Sequence, residues 1–535
     1  MIRVLSFFIM FAFVLTASPV RSLAADPAIL KTPPAPTFTD AERHAELAKR
    51  RAAVAEAMED KSIMVLFAAE PKLYTNDVDY VFRQENNLYY LTALKQAGAT
   101  FVLAKDGGKV TEYLFLPKRN PQKEAWEGMM YSREDAARIS GVNTMIDASE
   151  RDAFLAALKA KQAFTSKDGN VSLPTTLPNI YLLLPNSPND ANGKREFRQE
   201  SDYTTGLDVS IKNAQEIFAK LRHIKSPYEL KMMQHAIDIT AEAQTRAMAM
   251  VGRANWEYEV HAEVEYTFRR RTADYWGYPS IVGCGGNATT LHYVESQSPI
   301  KKGELLLMDV GAEYEHYTAD VTRTFPVNGN FTKEQAEIYQ IVYDAQEAVA
   351  KATKPGVTFG QLSMIARNKI AEGLSKLGLV NDYVPPTKPE EMFTPRSRQV
   401  GIWFIHGLGH WLGMNVHDVG DYSALLKPGM IYTNEPGIYI REDALDNLPG
   451  NNADLVAFKD KVRPVFEKYK NIGVRIEDDM LVTETGVTWM TGKIPRSIAD
   501  IESFMAKASK ELQWSARTIN GGMLVESAVA ANYRR

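Results

Sequence analysis

Cysteine is nearly absent from this sequence, because Cys284 is the only one among 535 residues. A single cysteine excludes an intramolecular disulfide and any metal site built from several thiolates. A lone cysteine in a glycine-rich stretch is also more typical of a small packed residue than of a nucleophile. The stability of the fold therefore depends on its hydrophobic core. Any metal site in this protein is expected to use oxygen and nitrogen ligands.

An excess of charge is missing as well: 62 Lys and Arg stand against 66 Asp and Glu, for a net charge of -4. This balance offers no electrostatic basis for binding nucleic acid or an anionic membrane surface. Hydrophobic residues make up 45% and charged residues 24%, which are ordinary globular values. We therefore expect no nucleic-acid partner. Since one hydrophobic core rarely organises a chain of this length, we expect two domains.

Long apolar runs are scarce, and the clearest occupies residues 4–17, directly after Arg3. It is shorter than the roughly 20 residues that span a bilayer, and the small residues 22–24 follow it. A basic start, a short apolar run and a small-residue end are typical of a secretory signal peptide, with a membrane anchor as the alternative. We expect cleavage near Ala24 or Ala25 and an exported protein, periplasmic or secreted, that is not embedded in the membrane.

The pattern along the chain predicts five segments. Strands alternate with helices in the first half, which indicates an α/β domain. A new pattern begins at Leu221 and marks the domain boundary, and within it Ser226 is placed to cap a helix with Pro227 at its first position and Glu229 at its third. The segments are a signal peptide (1–24), a linker and helix (25–60), an N-terminal domain (61–220), a second domain (221–505) and a C-terminal tail (506–535).

Five potential metal ligands lie in the second half of the chain, and four of them are carboxylates. Oxygen-rich sites favour hard divalent ions, or a pair of ions that share bridging carboxylates. The set therefore predicts a metal-dependent hydrolase. The ligands and their strings are Asp309 in Leu-Met-Asp-Val-Gly, Asp320 in Ala-Asp-Val-Thr-Arg-Thr-Phe, His410 in His-Gly-Leu-Gly-His, Glu435 in Asn-Glu-Pro-Gly and Glu477 in Val-Arg-Ile-Glu-Asp-Asp.

Two of these carboxylates are expected on one β-hairpin. Strands over 304–310 and 318–325 flank a turn, and a symmetric turn at Tyr314 and Glu315 places Asp309 opposite Asp320. Opposed residues have Cβ atoms about 4.5–5.5 Å apart, a separation at which two carboxylates repel unless a cation compensates them. Tyr-Glu is not a favoured two-residue turn, so a longer loop with the same pairing stays open.

The strand predicted over 474–481 carries Arg475 and Glu477 on one face, because side chains alternate along a strand. Arg475 is then placed to orient Glu477 or to bind substrate, and a solvated charged face is the alternative.

The spacing of His406 and His410 is that of a helix turn, but the surrounding glycines argue for a tight turn instead. Four of the nine histidines fall in or near the ligand strings: His292, His406, His410 and His417.

Together these strings resemble the pita-bread metallopeptidase family, and within it the aminopeptidase P group of Xaa-Pro aminopeptidases. The resemblance covers about residues 61–505 and includes Gly-Cys-Gly-Gly-Asn-Ala-Thr-Thr-Leu-His before Tyr293, Val-His-Asp-Val-Gly at 416–420 and Glu-Pro-Gly-Ile-Tyr at 435–439. It implies an α/β (α+β) protein: an N-terminal α/β domain of the creatinase/aminopeptidase P type, followed by a pita-bread catalytic domain with a curved antiparallel sheet. Phe82 to Thr92 resembles part of that N-terminal domain.

The resemblance also implies a division of labour. It assigns one divalent ion to Asp309 and Asp320, a second to His410 and Glu435, and bridging positions to Asp320 and Glu477, with a hydroxide shared by the two ions as nucleophile. Manganese is the expected metal, although cobalt, zinc or iron also occupy such sites. Glu435 is expected to carry a proton to the leaving proline nitrogen, while the implied catalytic and substrate-binding residues are His406, His417, His292, Tyr439 and Arg475.

The expected substrates are peptides with proline in second place, and a prolidase restricted to Xaa-Pro dipeptides is the closest alternative. A catalytically inactive pita-bread binding module and a metal-free amidinohydrolase of the creatinase type are less favoured, because all five ligands are present. The resemblance implies a homo-oligomer, a dimer or tetramer, with Trp126 in the contact segment. Asn415 replaces a usual Asp, which we expect to affect the support of His417, and a polar insertion at 443–470 is expected to narrow or cap the site.

Overall fold

The structure is a computed structural model that describes residues 28–511, apart from 188, 382, 387, 392–394 and 451. The predicted signal peptide and its cleavage site lie outside the described residues, as does the predicted tail from 512 onward. The helices between 28 and 511 include none that combines the length and apolar character needed to cross a membrane.

The first half of the described chain forms a six-stranded mixed sheet with helices on both faces, in the order β10-β9-β1-β4-β5-β6. Every residue of β1 is buried, because Met64 and Leu66 join the core on one face while Ile63 and Val65 join the core on the other. Its elements are α1 (Asp40–Ala57), β1 (Ser62–Phe67), β2 (Leu73–Thr75), β3 (Val78–Asp79), α2 (Asn86–Thr92), β4 (Thr100–Asp106), β5 (Lys109–Leu116), α3 (Pro121–Glu127), α4 (Arg133–Ser140), β6 (Met145–Asp147), α5 (Arg151–Lys159), β7 (Phe164–Thr165), β8 (Ser172–Leu173), β9 (Asn179–Leu182), α6 (Ala191–Glu196), α7 (Arg198–Thr204), β10 (Ser210–Asn213) and α8 (Gln215–His223).

The second half is built on short antiparallel sheets, with strand orders β12-β13-β16, β11-β14-β15, β17-β20-β21 and β18-β19. Helices α9 and α10 pack together and, with α11 and α12, supply much of its core. Its elements are α9 (Pro227–Met250), α10 (Glu257–Arg270), β11 (Tyr275–Trp276), β12 (Ile281–Cys284), β13 (Leu305–Val310), β14 (Ala312–Tyr314), β15 (Tyr317–Thr318), β16 (Val321–Pro326), α11 (Lys333–Ala352), α12 (Phe359–Leu377), β17 (Ile431–Asn434), β18 (Gly437–Ile440), α13 (Ala453–Tyr469), β19 (Ile472–Arg475), β20 (Asp478–Val482), β21 (Val487–Trp489) and α14 (Ile498–Glu511).

Helix α9 begins as its sequence predicts. The Ser226 hydroxyl accepts a hydrogen bond from the backbone N–H of Glu229, the Glu229 side chain accepts one from the backbone N–H of Ser226, and Pro227 occupies the first helical position. This reciprocal capping satisfies two N–H groups that have no partner inside the helix. The helix start is therefore fixed by local sequence.

The hairpin that carries Asp309 turns one residue later than predicted. Its turn residues are Glu315 and His316, both with positive φ (49° and 67°), as a type I′ hairpin turn requires. In this register Asp309 pairs with Thr322, not with Asp320. The two carboxylates remain on one face as diagonal neighbours, so the predicted direct opposition is wrong and the pairing is shifted by two residues.

The predicted continuous strand 474–481 is interrupted at 476–477, between β19 and β20. Pro436 lies opposite this break and has no N–H to donate to a ladder. The pairs on either side, Asn434 with Asp478 and Gly437 with Arg475, keep one register, which places Glu435 opposite Glu477. The register kept across the interruption therefore brings two glutamates together across the strands.

Most of the polar insertion at 443–470 is a helix, α13. Phe458, Val462 and Phe466 recur every four residues and are buried in the core of the second half. The residues that line the metal-site cavity described below come from other segments. Within the described residues, the insertion stabilises the fold and does not cap that cavity.

Candidate metal centre

One cavity of about 520 Å³ collects nine of the ten residues that the sequence singles out. Its walls come from β12, β13, the start of β16, the loop at 406–417 and the two strand breaks at Glu435 and Glu477. The tenth residue, Tyr439, lies behind this wall. The nine are Asp309, Asp320, His410, Glu435, Glu477, His292, His406, His417 and Arg475.

Tyr278 joins the two aspartates. Its hydroxyl lies 2.5 Å from Oδ1 of Asp309 and 2.5 Å from Oδ1 of Asp320. The second oxygen of Asp309 accepts a hydrogen bond of 2.5 Å from Arg475, and Oδ2 of Asp320 lies 3.3 Å from Nε2 of His410. Asp320 is therefore the aspartate that turns toward the other ligands, while Asp309 is held by Tyr278 and Arg475.

The loop that carries His410 approaches β17 very closely. The His410 N–H donates to the Thr433 hydroxyl (3.0 Å), and the Thr433 N–H donates to the His410 carbonyl (2.9 Å). A side chain at Gly409 would overlap the carbonyl oxygen of Thr433, so the glycine is required for this contact. As predicted, His406 and His410 lie in a glycine-rich turn and not on a helix.

Glu477 is oriented by a threonine and keeps one oxygen without a partner. Its Oε2 accepts a hydrogen bond of 2.6 Å from Thr322, whereas its Oε1 is buried and makes no hydrogen bond. Nearby, Asp479 accepts a hydrogen bond from the Asp320 N–H (3.3 Å) on one oxygen and leaves the other unpartnered. A buried carboxylate oxygen without a partner is costly, which favours a bound cation at this point.

Glu435 contacts the cluster through His410, since its Oε1 lies 3.3 Å from His410 Nε2 and accepts a hydrogen bond of 3.1 Å from Thr433. Its Oε2 lies 3.9 Å from Nδ1 of His406. Candidate ligand atoms of Asp320, His410 and Glu477 all lie within 4.8 Å of one another. The structure thus brings three predicted ligands into one group, with Asp309 and Glu435 beside it.

The site is short of positive charge. Burial and the charge of Asp309 raise the pKa of Asp320, and burial together with the charge of Asp320 holds the pKa of Glu477 well above its usual value. Although burial opposes it, the hydrogen bond with Asp320 and the charge of Glu435 raise the pKa of His410 to about 9. Crowded carboxylates that draw protons toward themselves are the electrostatic signature expected of an acidic cation site.

Arg475 offsets part of this negative charge, but at Asp309 rather than at Glu477. Burial raises the pKa of Asp309, yet the charge and hydrogen bond of Arg475 and the hydrogen bond from Tyr278 outweigh it, so the pKa lies below its usual value. Arg475 also reaches Glu477 through Thr322: its Nε donates a hydrogen bond of 3.1 Å to the Thr322 hydroxyl, which donates one of 2.6 Å to Glu477. The expected orientation of Glu477 by Arg475 is therefore indirect.

Tyr439 links the histidine side of the cavity to Arg475. Its hydroxyl lies 2.8 Å from Nε2 of His406 and accepts a hydrogen bond of 2.7 Å from Arg475, and the ring is buried. Burial, with the charge of Arg475 opposing a cationic ring, lowers the pKa of His406 to about 3. His406 is thus a neutral imidazole whose orientation Tyr439 fixes.

The remaining predicted residues lie where the cavity opens. His292 and His417 are exposed and line it. The Asn415 side chain accepts a hydrogen bond of 2.7 Å from Asn86 in the first half of the chain, so it supports that contact. Trp126 lies on α3 and is 86% exposed.

Cys284 is a packed residue and not a nucleophile. Its side chain is buried beside Glu304, and burial raises the pKa of its thiol to about 12. A thiol with so high a pKa is a poor nucleophile, which agrees with its predicted structural role.

Sequence reasoning missed Tyr278, Thr322, Thr433 and the contact of Asp479 with Asp320. Tyr278 precedes β12, and Ile281 of that strand pairs with Asp309. A strand predicted over 281–284 and paired with the strand of Asp309 would have placed the Tyr278 hydroxyl near that aspartate. Each of the two threonines lies two residues from a ligand, in the Asp-Val-Thr and Thr-Asn-Glu strings, where the strand period determines which side it faces.

The fold and the site define a metal-dependent hydrolase class, and comparison with known proteins identifies the family. The family model "Metallopeptidase family M24" matches residues 231–484, and "Aminopeptidase P, N-terminal domain" matches residues 47–165. The chain belongs to metallopeptidase family M24, with the aminopeptidase P N-terminal domain before the catalytic domain. The predicted family and fold class are confirmed, whereas the predicted domain boundaries stay predictions.

Relatives match along most of their length. The chain is similar to a Xaa-Pro aminopeptidase of Haemophilus influenzae (34% identity, 86% of this chain and 97% of the relative) and to human Xaa-Pro aminopeptidase 3 (32% identity, 84% and 82%). Among solved structures, it is similar to Escherichia coli aminopeptidase P with the inhibitor Pro-Leu, with a TM-score of 0.71, 32% identity and coverage of 87% of this chain and 99% of that one.

Proposed function

We propose that this metallopeptidase is an exported Xaa-Pro aminopeptidase that removes the first residue from peptides with proline in second place, using two divalent metal ions. Three observations support the proposal: the names of its relatives, the convergence of the predicted ligands on one cavity, and the unpartnered buried oxygen of Glu477. That oxygen carries most weight, because Glu477 belongs to the group of candidate ligands and its Oε1 lacks the partner that a cation would supply.

Asp309, Asp320, His410, Glu435 and Glu477 would hold the two ions, with Asp320 and Glu477 shared between them. The donor set fits, since it combines four carboxylates and one imidazole, and manganese is the metal we propose because carboxylate-rich sites suit hard ions. When bound, the ions would polarise the scissile carbonyl and make water a usable nucleophile at neutral pH. Divalent charge at this point would also relieve the repulsion that raises the pKa of Asp320 and Glu477.

Glu435 is proposed to carry the proton that the departing proline nitrogen needs. It lies at the cavity wall between His410 and His406, and burial and the charge of Asp320, opposed by His410, raise its pKa to about 7. Metal charge beside Glu435 would lower this pKa, so the proposed role rests on position: a carboxylate at the reacting centre can accept a proton and later return it.

The histidines and Arg475 are proposed to hold the substrate. His292 and His417 line the open side of the cavity, where a peptide enters, and neutral His406 presents its ring beside Glu435. Tyr439 does not reach the cavity, so we assign it a positioning role: it holds His406 and Arg475 in fixed orientations through one hydroxyl.

A prolidase restricted to dipeptides is the second candidate, and substrate length separates the two. We expect the purified protein with manganese to cleave Xaa-Pro-Yaa tripeptides faster than Xaa-Pro dipeptides, as measured by release of the first amino acid. Cleavage of dipeptides alone would assign the protein to the prolidases. Failure to cleave either, with two ions bound, would favour a binding module.

Export rests on the basic start and apolar run at residues 3–17, and we propose a periplasmic or secreted mature protein. N-terminal sequencing of the protein produced in its own cells is expected to begin at residue 25 or 26. A mature protein that retains Met1 and stays in the cytosolic fraction would contradict the proposal.

A further inference from the structure

A second cavity, of about 760 Å³, adjoins the metal-site cavity. The two cavities share Val416 and His417 in their walls. The outer walls of the second cavity are residues 80–83 from the first half of the chain and Tyr275 with Trp276 from β11. Its volume falls within the range of pockets that hold drug-sized ligands.

The surface of this second cavity is largely apolar and aromatic. Val81 is 69% and Tyr80 55% exposed, and half-buried Trp276 and Val416 face the same space. Apolar side chains left open in a concave surface indicate a binding site rather than ordinary surface. The expected ligand therefore has apolar or aromatic groups.

The outer wall is held firmly against the catalytic half. Arg83 forms an ion pair with Glu313 (2.8 Å) and donates a hydrogen bond of 2.7 Å to the carbonyl of Met414. Asn86 donates to Asn415 (2.7 Å), two residues before His417. These contacts tie the segment at 80–86 to the loop that also carries a residue of the metal-site cavity, so the second cavity is formed before a ligand binds.

Several charged groups in the cavity wall already have partners. Besides Arg83 with Glu313, Lys95 pairs with Asp274 (3.1 Å), and Glu70 pairs with Arg198 outside the cavity (2.6 Å). Charges that are satisfied within the protein contribute little attraction for a charged ligand. Apolar contact is thus the main source of selectivity here.

An aminopeptidase that removes one residue has only that residue upstream of the bond it breaks. Room for several residues is needed only downstream, and the second cavity continues from the metal site past His417. We propose, on the basis of the proposed Xaa-Pro aminopeptidase function, that this cavity binds the part of the peptide beyond proline and selects apolar or aromatic side chains there. The first half of the chain thereby contributes to substrate choice through Tyr80 and Val81.

The test compares two valines of the same hairpin region. Val81 lies in the cavity, whereas Val78 is 50% exposed on β3 and does not line it. The manganese-loaded wild type, Val81→Asp and Val78→Asp are assayed with Ala-Pro-Ala and with Ala-Pro-Ala-Phe-Phe-Ala. The readout is the ratio of kcat/KM for the hexapeptide to kcat/KM for the tripeptide, with oligomeric mass measured for each variant.

We expect Val81→Asp to lower this ratio about tenfold, because the bound peptide would cover a charge where it now meets an apolar side chain, and Val78→Asp to leave it unchanged. An unchanged ratio in Val81→Asp, with the tripeptide still cleaved, would overturn the site but not the proposed function. An equal loss on both peptides together with a changed oligomeric mass would assign the cavity to a second copy of the chain and also overturn it. If the wild type cleaves neither peptide, the proposed function fails and the peptide site fails with it.

Discussion

Single residues at the metal site owe their positions to a few local rules. Pro436 cannot donate a hydrogen bond, and Glu435 before it faces Glu477 across the interrupted strands. Gly409 allows His410 to approach β17. The five ligands were predictable because each lies in a distinctive short string, but Tyr278 and Tyr439 were not given their observed roles, since their hydroxyls meet partners from distant strands.

At the residue scale, Asp320→Ala is expected to remove the central ligand. Asp320 contacts both Tyr278 and His410, and even the loss of groups that only support a ligand costs about 10–100-fold. We therefore expect activity on Xaa-Pro-Yaa peptides to fall by more than about 100-fold, with fewer than two metal ions per chain by elemental analysis.

The matched control for that substitution is Asp344→Ala, at an exposed position of α11. It is expected to keep full activity and the wild-type metal content. Near-normal turnover of Asp320→Ala with two ions still bound would refute its assignment as a shared ligand.

At the element scale, the strands and helices with clear periodicity were predictable and the turn between two strands was not. The hairpin turns at Glu315 and His316 because contacts from the first half of the chain support it: the His316 ring stacks on Tyr89 with centroids 3.8 Å apart, and the Tyr89 hydroxyl binds Glu315. Asp274 also accepts a hydrogen bond from the Glu315 N–H (2.6 Å). Tyr89, which is 226 residues from Glu315, cannot be read from a local turn pattern.

Helix α13 was missed because its polar composition hides an apolar face. We expect Val462→Ala, at a fully buried position, to cost about 2 kcal/mol through lost burial and the cavity left behind, and so to lower the apparent Tm by several degrees. Val456→Ala, at a position of the same helix that is 46% exposed, is expected to leave Tm unchanged or to raise it slightly, because alanine favours helix. Equal effects of the two variants on thermal unfolding would contradict the assigned orientation of α13.

At the scale of the whole molecule, a buried charge cluster fixes the loop beside the metal site. Asp418 lies 2.5 Å from Arg222 and 3.2 Å from Lys225, and all three are buried. Arg222 also donates to Asn87 of α2. The cluster therefore joins helices α2 and α8 to the loop at 413–420, a long-range arrangement that the sequence alone did not indicate.

The cluster predicts a pH dependence of stability. Burial raises the pKa of Asp418, but Arg222 and Lys225 outweigh it and hold the pKa below its usual value. A pKa lowered by folding contributes stability above the unfolded-state value of about 3.9, and that stability is lost as pH falls through the lower folded-state value. Asp418→Asn is expected to destabilise by about 3–5 kcal/mol at pH 7, because two cations are left buried.

The penalty of Asp418→Asn is expected to shrink below about pH 4, because the unfolded wild type takes up a proton at Asp418 there and the folded wild type follows only at lower pH. Denaturant unfolding of both proteins across pH measures this difference. Asp421→Asn, an exposed aspartate of the same region, serves as the control and should change stability by less than about 0.5 kcal/mol. A penalty that stays constant from pH 7 to pH 3 would show that the ion pairs contribute nothing.

The most direct test of the proposed two-metal hydrolase begins with protein from which a chelator has removed all metal. Manganese is added back in steps, and cleavage of an Xaa-Pro-Yaa tripeptide is measured at each step. We predict that activity is absent without metal, returns with manganese, and saturates at two ions per chain, because five ligands converge on one cavity and Glu477 has an oxygen left to share. Full activity of the chelated protein with no bound ion, or two bound ions without any tripeptide cleavage, would contradict it.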